Sequence, residues 1–189
     1  MFGKSLSGRF FMMTIVFVML AEVLIFVPSL ARFRLDYLED RLERSQIASL
    51  AVLASPDEMV ETALQKELLQ NAGVINVVLK RDEVRQLVLQ SPFEGGVAAS
   101  FDLRDQRSYV LLRGAMQSWF RSDNQIIRVV GTPVNDAGTL IDILMYERPL
   151  RLEMTAYGWN ILRLSIFLSL MIAALLYLVT HWLMVRPKI

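Results

Sequence analysis

The stretch "VINVVLKRDEVRQLVLQS", residues 74–91, is where the period of the chain changes from helical to alternating. Two runs rich in β-branched residues, Val74–Leu79 and Val84–Leu89, flank the charged turn Lys80-Arg81-Asp82-Glu83, a pattern that predicts a β-hairpin. Before it, "SPDEMVETALQKELLQNAG" (55–73) predicts a helix. Ser55 can cap its first amides, Pro56 suits the first turn, Asp57 and Glu58 favour the positive end, and Gly73 stops it at C′. After the hairpin, "SPFEGG" (91–96) breaks the chain and "VAASFDL" (97–103) reads as an edge strand.

Further along, Asp105–Arg121 is helical in pattern, with Tyr109, Leu112, Ala115, Met116, Trp119 and Phe120 on one face. Two more strands follow, in 126–134 and 140–146, joined by the turn Asn135-Asp136-Ala137-Gly138. These elements predict an α+β domain: one antiparallel sheet of four or five strands backed by the two early helices.

Outside this middle lie two apolar runs. Phe10–Leu30 and Leu164–Val185 each supply about the 20 helical residues that a bilayer core needs. A hydrophobic content of 54% and a mean hydropathy of +0.40 agree with membrane segments. Glu22 sits near the middle of the first run. Its insertion cost of about 2.5–3.5 kcal/mol is outweighed by a dozen Leu, Ile, Phe and Val, each returning about 0.3–0.6. Such a carboxyl either makes a polar contact within a helix bundle or is tolerated in its protonated form. A cleaved signal peptide is the rival reading, with Lys4, Arg9 and the small pair Ser29-x-Ala31, but the apolar stretch is longer than a signal core. Tyr157 and Trp159 before the second run, and Tyr177, His181 and Trp182 late in it, fit interfacial belts. Lys4 and Arg9 precede the first run, and Arg186 and Lys188 follow the second, which predicts that both termini are cytoplasmic. The resulting plan is a stub (1–9), a span (10–30), an extracytoplasmic domain (31–160), a second span (161–185) and a cytoplasmic linker (186–189).

The first span runs on without Gly or Pro into "RFRLDYLEDRLERSQIASLAVLAS" (32–55), so one long helix is expected, with Pro28 as a possible kink. Its Asp36, Glu39, Asp40 and Glu43 among Arg34, Arg41 and Arg44 read as a solvated, ion-paired face. Its Leu35-Leu38-Leu42 edge reads alternatively as a dimer contact.

Several chemistries are excluded or weakened. There is no cysteine for a thiol nucleophile or iron–sulfur cluster, and His181 alone makes a histidine metal site or a Ser-His-Asp triad a poor fit. A net charge of +1 argues against a nucleic-acid surface. Asp57/Glu58 and Asp102/Asp105 suit caps and first turns better than metal ligation. Gly95-Gly96 lacks a phosphate-loop context. No catalytic, cofactor-binding or metal-binding residue is expected.

The stretches "NQIIRVVGTPV", "LIDILMYERPLR" and "NILRLSIFLSLMIAALLYLVTHWLMVRP" are similar to those of alphaproteobacterial sensor histidine kinases. The whole plan resembles the input half of that family: stub, span, periplasmic PAS-like (PDC or Cache-type) domain, span, and a HAMP entry at Arg186-Pro187. The family's phosphorylatable histidine helix, glycine-rich ATP lid and metal-binding asparagine are not in these 189 residues, whose last two are Lys188-Ile189. The resemblance therefore implies an input module in the inner membrane, with a homodimer and a response regulator reached through a kinase part. The helices Arg32–Ala54 and Glu147–Asn160 continue directly into the spans, so a change in the domain would move one span against the other by piston, tilt or rotation. A ligand of such domains sits beyond the central strands, here Phe93 to Phe120, and Arg113 and Trp119 from that region together with Arg128 and Tyr146 could hold a carboxylate. The plainer reading puts Trp119 and Phe120 in the core and Arg128 in solvent. Other outputs, namely a chemoreceptor or a cyclic-di-nucleotide enzyme, a stand-alone membrane scaffold, and an outer-compartment enzyme are the competing functions.

Overall fold

The structure is a computed structural model and describes residues 6–54, 62–81, 86–92, 95–104, 107–120, 124–135 and 137–185. Helix α1 (Leu6–Leu53) is followed by α2 (Thr62–Ala72), strands β1 (Asn76–Lys80), β2 (Gln86–Gln90) and β3 (Val97–Asp102), and helix α3 (Ser108–Phe120). Strands β4 (Ile126–Gly131) and β5 (Leu140–Tyr146) then lead into helix α4 (Glu147–Val185). The chain divides into two compact units: Ser29–Met154, and Met1–Pro28 together with Thr155–Ile189.

The first unit holds one five-stranded sheet in the order β2-β1-β5-β4-β3. The hairpin expected at residues 74–91 is present, with Asn76–Lys80 paired antiparallel to Gln86–Gln90. The expected strand at 140–146 is β5, at the centre of the sheet. The sheet is not antiparallel throughout, however. Edge strand β3 runs parallel to β4, so the sheet is mixed. The reason is the connection: the 13-residue helix α3 between β3 and β4 carries the chain back to its starting end, as parallel neighbours require and a tight turn cannot do. Strand β4 also stops at Gly131 rather than continuing to residue 134. Beyond it, the backbone of Val134 bonds a side chain instead of a strand. Gln46 of α1 donates to the Val134 carbonyl and accepts from its amide, both at 2.7 Å.

Alternation gives the sheet two faces. Val77, Leu79, Val129, Ile141, Ile143 and Met145 are buried on one face, against α1. The outer half of α1 is built for this. Ala31, Leu35, Leu38, Leu42, Ser45, Ser49 and Val52, at steps of four and three residues, are all buried. The Leu35-Leu38-Leu42 edge, one reading of which was a dimer contact, is therefore covered within the chain's own unit. Ser45 and Ser49 fit this dry stripe because each hydroxyl donates to the carbonyl four residues back, at 2.7 and 2.9 Å. Arg32, Asp36, Glu39, Glu43 and Arg44 lie on the exposed face of α1, where Arg32–Asp36 and Arg44–Asp40 form i,i+4 pairs, but Arg34, expected on that solvated face, is buried and Arg41 is half-buried against the end of α2.

The apolar face expected for α3 is a correction. Its buried residues are Gly114, Ala115 and Ser118, whereas Tyr109 and Phe120 are exposed and Trp119 is half-buried. Small residues face inward because α3 packs close against an arginine of α1.

Two helices, α1 and α4, are long and apolar enough to cross a membrane. The best 18-residue stretches within Val16–Leu53 and Glu147–Ile172 have mean hydropathies of 2.0 and 1.2. Only 11% and 6% of those stretches are buried. Ile25 and Leu24 of α1 and Leu164 and Phe167 of α4 are among the exposed apolar residues.

Gly73 ends α2 as expected, with a positive φ of 70°. A Cβ there would collide with the guanidinium of Arg41, which donates at 3.1 Å to the last carbonyl of α2, Ala72. We expect Gly73→Ala to destabilise the unit by about 1–2 kcal/mol from left-handed strain alone, and by more through the displaced Arg41. A thermal melt of the detergent-solubilised chain by circular dichroism checks this; an unchanged midpoint would refute the cap.

Candidate functional site

The feature of the α+β unit that composition does not explain is a set of polar side chains buried between helices. Arg34, Ser118 and Glu147 are 3%, 1% and 2% exposed. Arg34 Nε donates to Ser118 Oγ at 3.2 Å, and Ser118 Oγ donates to Glu147 Oε1 at 2.8 Å. The serine hydroxyl thus relays between a buried cation and a buried anion, joining α1, α3 and α4.

Each member is placed by local structure. Arg34 lies one turn from both Leu30 and Leu38, both fully buried, so the stripe that packs α1 carries it inward. Its guanidinium stacks over Phe101 of β3, 4.1 Å from the ring centre. Gly114 of α3 makes the room: a Cβ there would lie 2.9 Å from Arg34 Nη1. Ser118 is one turn further along α3. Glu147 continues the inward alternation Ile141, Ile143, Met145 past the end of β5, and its amide donates to the Gln125 carbonyl at 2.8 Å. Pro149, in the first turn, favours starting α4 there. Burying a charge is costly unless it is paired and hydrogen-bonded, which makes this cluster a fixed point of the unit rather than a surface ornament.

The four residues considered for a carboxylate pocket do not converge. Arg113 is exposed on α3, in an open depression of about 450 Å³ shared with Met116, Gln117 and Phe120. Trp119 is half-buried on the same helix. Arg128 and Tyr146 lie on the other face of the sheet, because Arg128 pairs with Leu144 and Tyr146 with Ile126, out of phase with buried Ile143. Arg128 is already engaged: Asp142 accepts from its Nε at 2.8 Å, a hydrogen bond that raises the arginine pKa. A separate cleft of about 480 Å³ runs between α1 and the β3 and β4 ends, lined by Glu39, Glu43, Gln46, Leu103 and Arg104 among others. Arg104 there is held by Asp102, whose carboxyl the hydrogen bonds from Arg104 lower to a pKa of about 2.

Glu22, in the membrane-type unit, has a polar partner. Ser165 Oγ donates to its Oε1 at 2.8 Å. Ser165 is the second residue of the run Leu164–Val185, so the middle of one apolar run meets the start of the other. Arg186, Pro187, Ser55, Pro56, Asp57, Glu58, Phe93 and Asp105 lie outside the described residues. Among the described residues no group of three or more acidic or histidine side chains is arranged to hold a metal. No protein-family model, curated protein or solved structure matches the chain.

The sequence reading missed the buried cluster, although two signals for it exist. Arg34 interrupts an i,i+4 apolar row at Leu30 and Leu38, and Glu147 extends an alternating strand pattern by one step.

Ser118→Ala removes the relay and leaves two charged groups short of a bond. We expect a loss of about 1–3 kcal/mol in unfolding measurements, against almost none for the exposed control Ser108→Ala. Equal losses would show that the relay contributes nothing. For Asp102, the folded pKa lies below the unfolded 3.8, so its small contribution is complete above pH 3.8 and disappears as pH falls through about 2. The stability gap between the parent and Asp102→Asn should accordingly be present at pH 5, close toward pH 2, and shrink in high salt.

Proposed function

We propose that the chain is the signal-input module of a membrane receptor of the sensor histidine kinase type. In this reading it sits in the bacterial inner membrane with both termini cytoplasmic and residues 31–160 in the periplasm. It acts as a homodimer and biases a kinase that serves a response regulator. The observation that carries the reading is helix continuity. Helix α1 holds both an apolar run and the stripe packed on the sheet, and α4 starts at buried Glu147 and continues through the second apolar run. No Gly/Ser linker intervenes, so the two helices that leave the sheet are also the two that enter the membrane. The Arg34–Ser118–Glu147 cluster supports the reading further, since it ties the roots of both helices to α3. A stimulus that separates α3 from the pair would favour a second arrangement of α1 and α4, and its binding need supply only the difference in affinity between the two.

Two measurements test this. Alkaline phosphatase joined within the 95–96 loop should be active, and joined at either terminus inactive. A chimera carrying a HAMP–kinase core after Pro187 should change its autophosphorylation in membranes several-fold on Ser118→Ala. An active phosphatase at a terminus, or a kinase indifferent to Ser118 at equal protein level, would defeat the proposal.

A further inference from the structure

The parallel pair of the sheet stops at one shared end. Strands β3 and β4 run side by side in the same direction and finish at Asp102 and Gly131. The Leu103 amide adds one more ladder bond, donating to the Val130 carbonyl at 2.8 Å. There the two segments part. Through Leu103-Arg104 the first goes on to α3, and through Thr132-Pro133 the second goes on to β5. Adjacent parallel strands whose connections diverge leave a crevice at their carboxyl ends, the place where open α/β sheets take up ligands. The cleft of about 480 Å³ lies at this crevice, with α1 as its other wall. Pockets that enclose small molecules measure about 300–1,000 Å³, so the space is sufficient.

Helix α1 presents Glu39, Leu42, Glu43 and Gln46 to the cleft, at the i, i+3, i+4, i+7 spacing of one helix face. The floor is apolar, since Leu42, Leu103 and Ile141 all line the cleft and are buried. The walls are fixed before any ligand arrives. Gln46 holds the backbone of Val134 through two hydrogen bonds of 2.7 Å, which ties the segment after β4 to α1. Arg104 is held by Asp102, with Nη2 2.6 Å from Oδ2. A preformed site of this kind loses little binding energy to ordering. Charge then selects the ligand. Glu39 and Glu43 are both exposed, one turn apart on the same wall, whereas Arg104 already shares its charge with Asp102. The mouth is therefore acidic, above a dry floor.

We infer that the cleft between α1 and the carboxyl ends of β3 and β4 binds an organic ammonium ion, its apolar body on Leu42, Leu103 and Ile141 and its cationic head between Glu39 and Glu43. The cavity makes the site, and the two carboxylates set only the sign of the charge it accepts. An amphipathic cation gains from both, by covering apolar surface and by charge-assisted hydrogen bonds. Such a ligand goes beyond the input role proposed above, since it binds whether or not α1 crosses a membrane.

Phenethylamine, as its ammonium ion, is titrated by calorimetry into the full chain in detergent micelles, beside phenethyl alcohol and hydrocinnamate. The three share a phenyl body and differ in the charge of the head. Thr132→Trp, on the exposed rim, fills the mouth without touching the floor. Glu39→Gln together with Glu43→Gln removes both carboxylates and keeps their shape. Glu67→Gln, exposed on α2 and outside the cleft, is the control for charge alone. All these positions are exposed, so the variants keep the fold, which their melts check. Saturable one-to-one binding of the ammonium is expected, weakened by salt, with the alcohol several-fold weaker and hydrocinnamate not bound. Thr132→Trp should abolish it, the double glutamine variant weaken it several-fold, and Glu67→Gln leave it unchanged. Uptake by micelles is not saturable and is the same for every variant. No saturation up to the solubility limit, equal binding of hydrocinnamate, or binding that survives Thr132→Trp overturns the inference. None of these outcomes bears on the phosphatase fusions that test the spans.

Discussion

A buried arginine, a serine hydroxyl and a buried glutamate hold together three helices that sequence keeps far apart. Arg34 and Ser118 are 84 residues apart, and Ser118 and Glu147 are 29. Long-range contacts of this sort carry the larger loop-closure cost, so they form only when the surrounding packing already favours them. Here that packing is the Leu stripe of α1 on the inner sheet face and the glycine and alanine of α3. Replacing such an ionic group by apolar residues of similar shape is often neutral or stabilising, whereas removing one partner alone costs about 3–5 kcal/mol. The cluster is therefore better understood as a device of specificity. It makes one arrangement of α1, α3 and α4 clearly preferred over sliding alternatives.

In the proposed reading of the chain as an input module, that preference bears on transmission. A helix that is apolar at one end and amphipathic at the other cannot rotate in the sheet domain without also turning its apolar portion. The Glu22–Ser165 hydrogen bond adds a second polar tie, in the membrane-type unit. Such bonds between membrane helices average only about 0.6 kcal/mol. A tie of that size guides register without locking it. The contrast with the fully buried cluster is one of degree: strong anchoring in the folded domain, weak guidance in the apolar helices.

The sheet separates the remaining chemistry. Its inner face is spent on α1, and its outer face carries the Arg128–Asp142 pair, with Leu144 and Tyr146 on neighbouring positions. An arginine held by a cross-strand carboxylate is poorly placed to take a ligand carboxylate, since the new bond must replace one already made. The depression beside Arg113 lies largely open, unlike the concave sites that enclose small molecules.

Local patterns in the sequence carried most of the element assignments. Strand alternation at 140–146, the glycine stop at residue 73, the β1–β2 hairpin and the long apolar helices depend on neighbours within a few residues, and those rules act the same in any fold. The α+β class followed from them. What sequence could not decide were features set by distant partners. The parallel placement of β3 comes from where α3 returns the chain, and the inward face of α3 comes from the Arg34 guanidinium over Gly114 rather than from its aromatic residues. Likewise, Arg34 and Glu147 look like two more surface charges in a chain with 39 charged side chains. Only the fold, by closing helices over them and supplying Ser118 between them, makes them the buried centre of the domain. Periodicity reports which face an element turns inward on average, whereas a buried charge is tolerated only where tertiary structure delivers its counterpart.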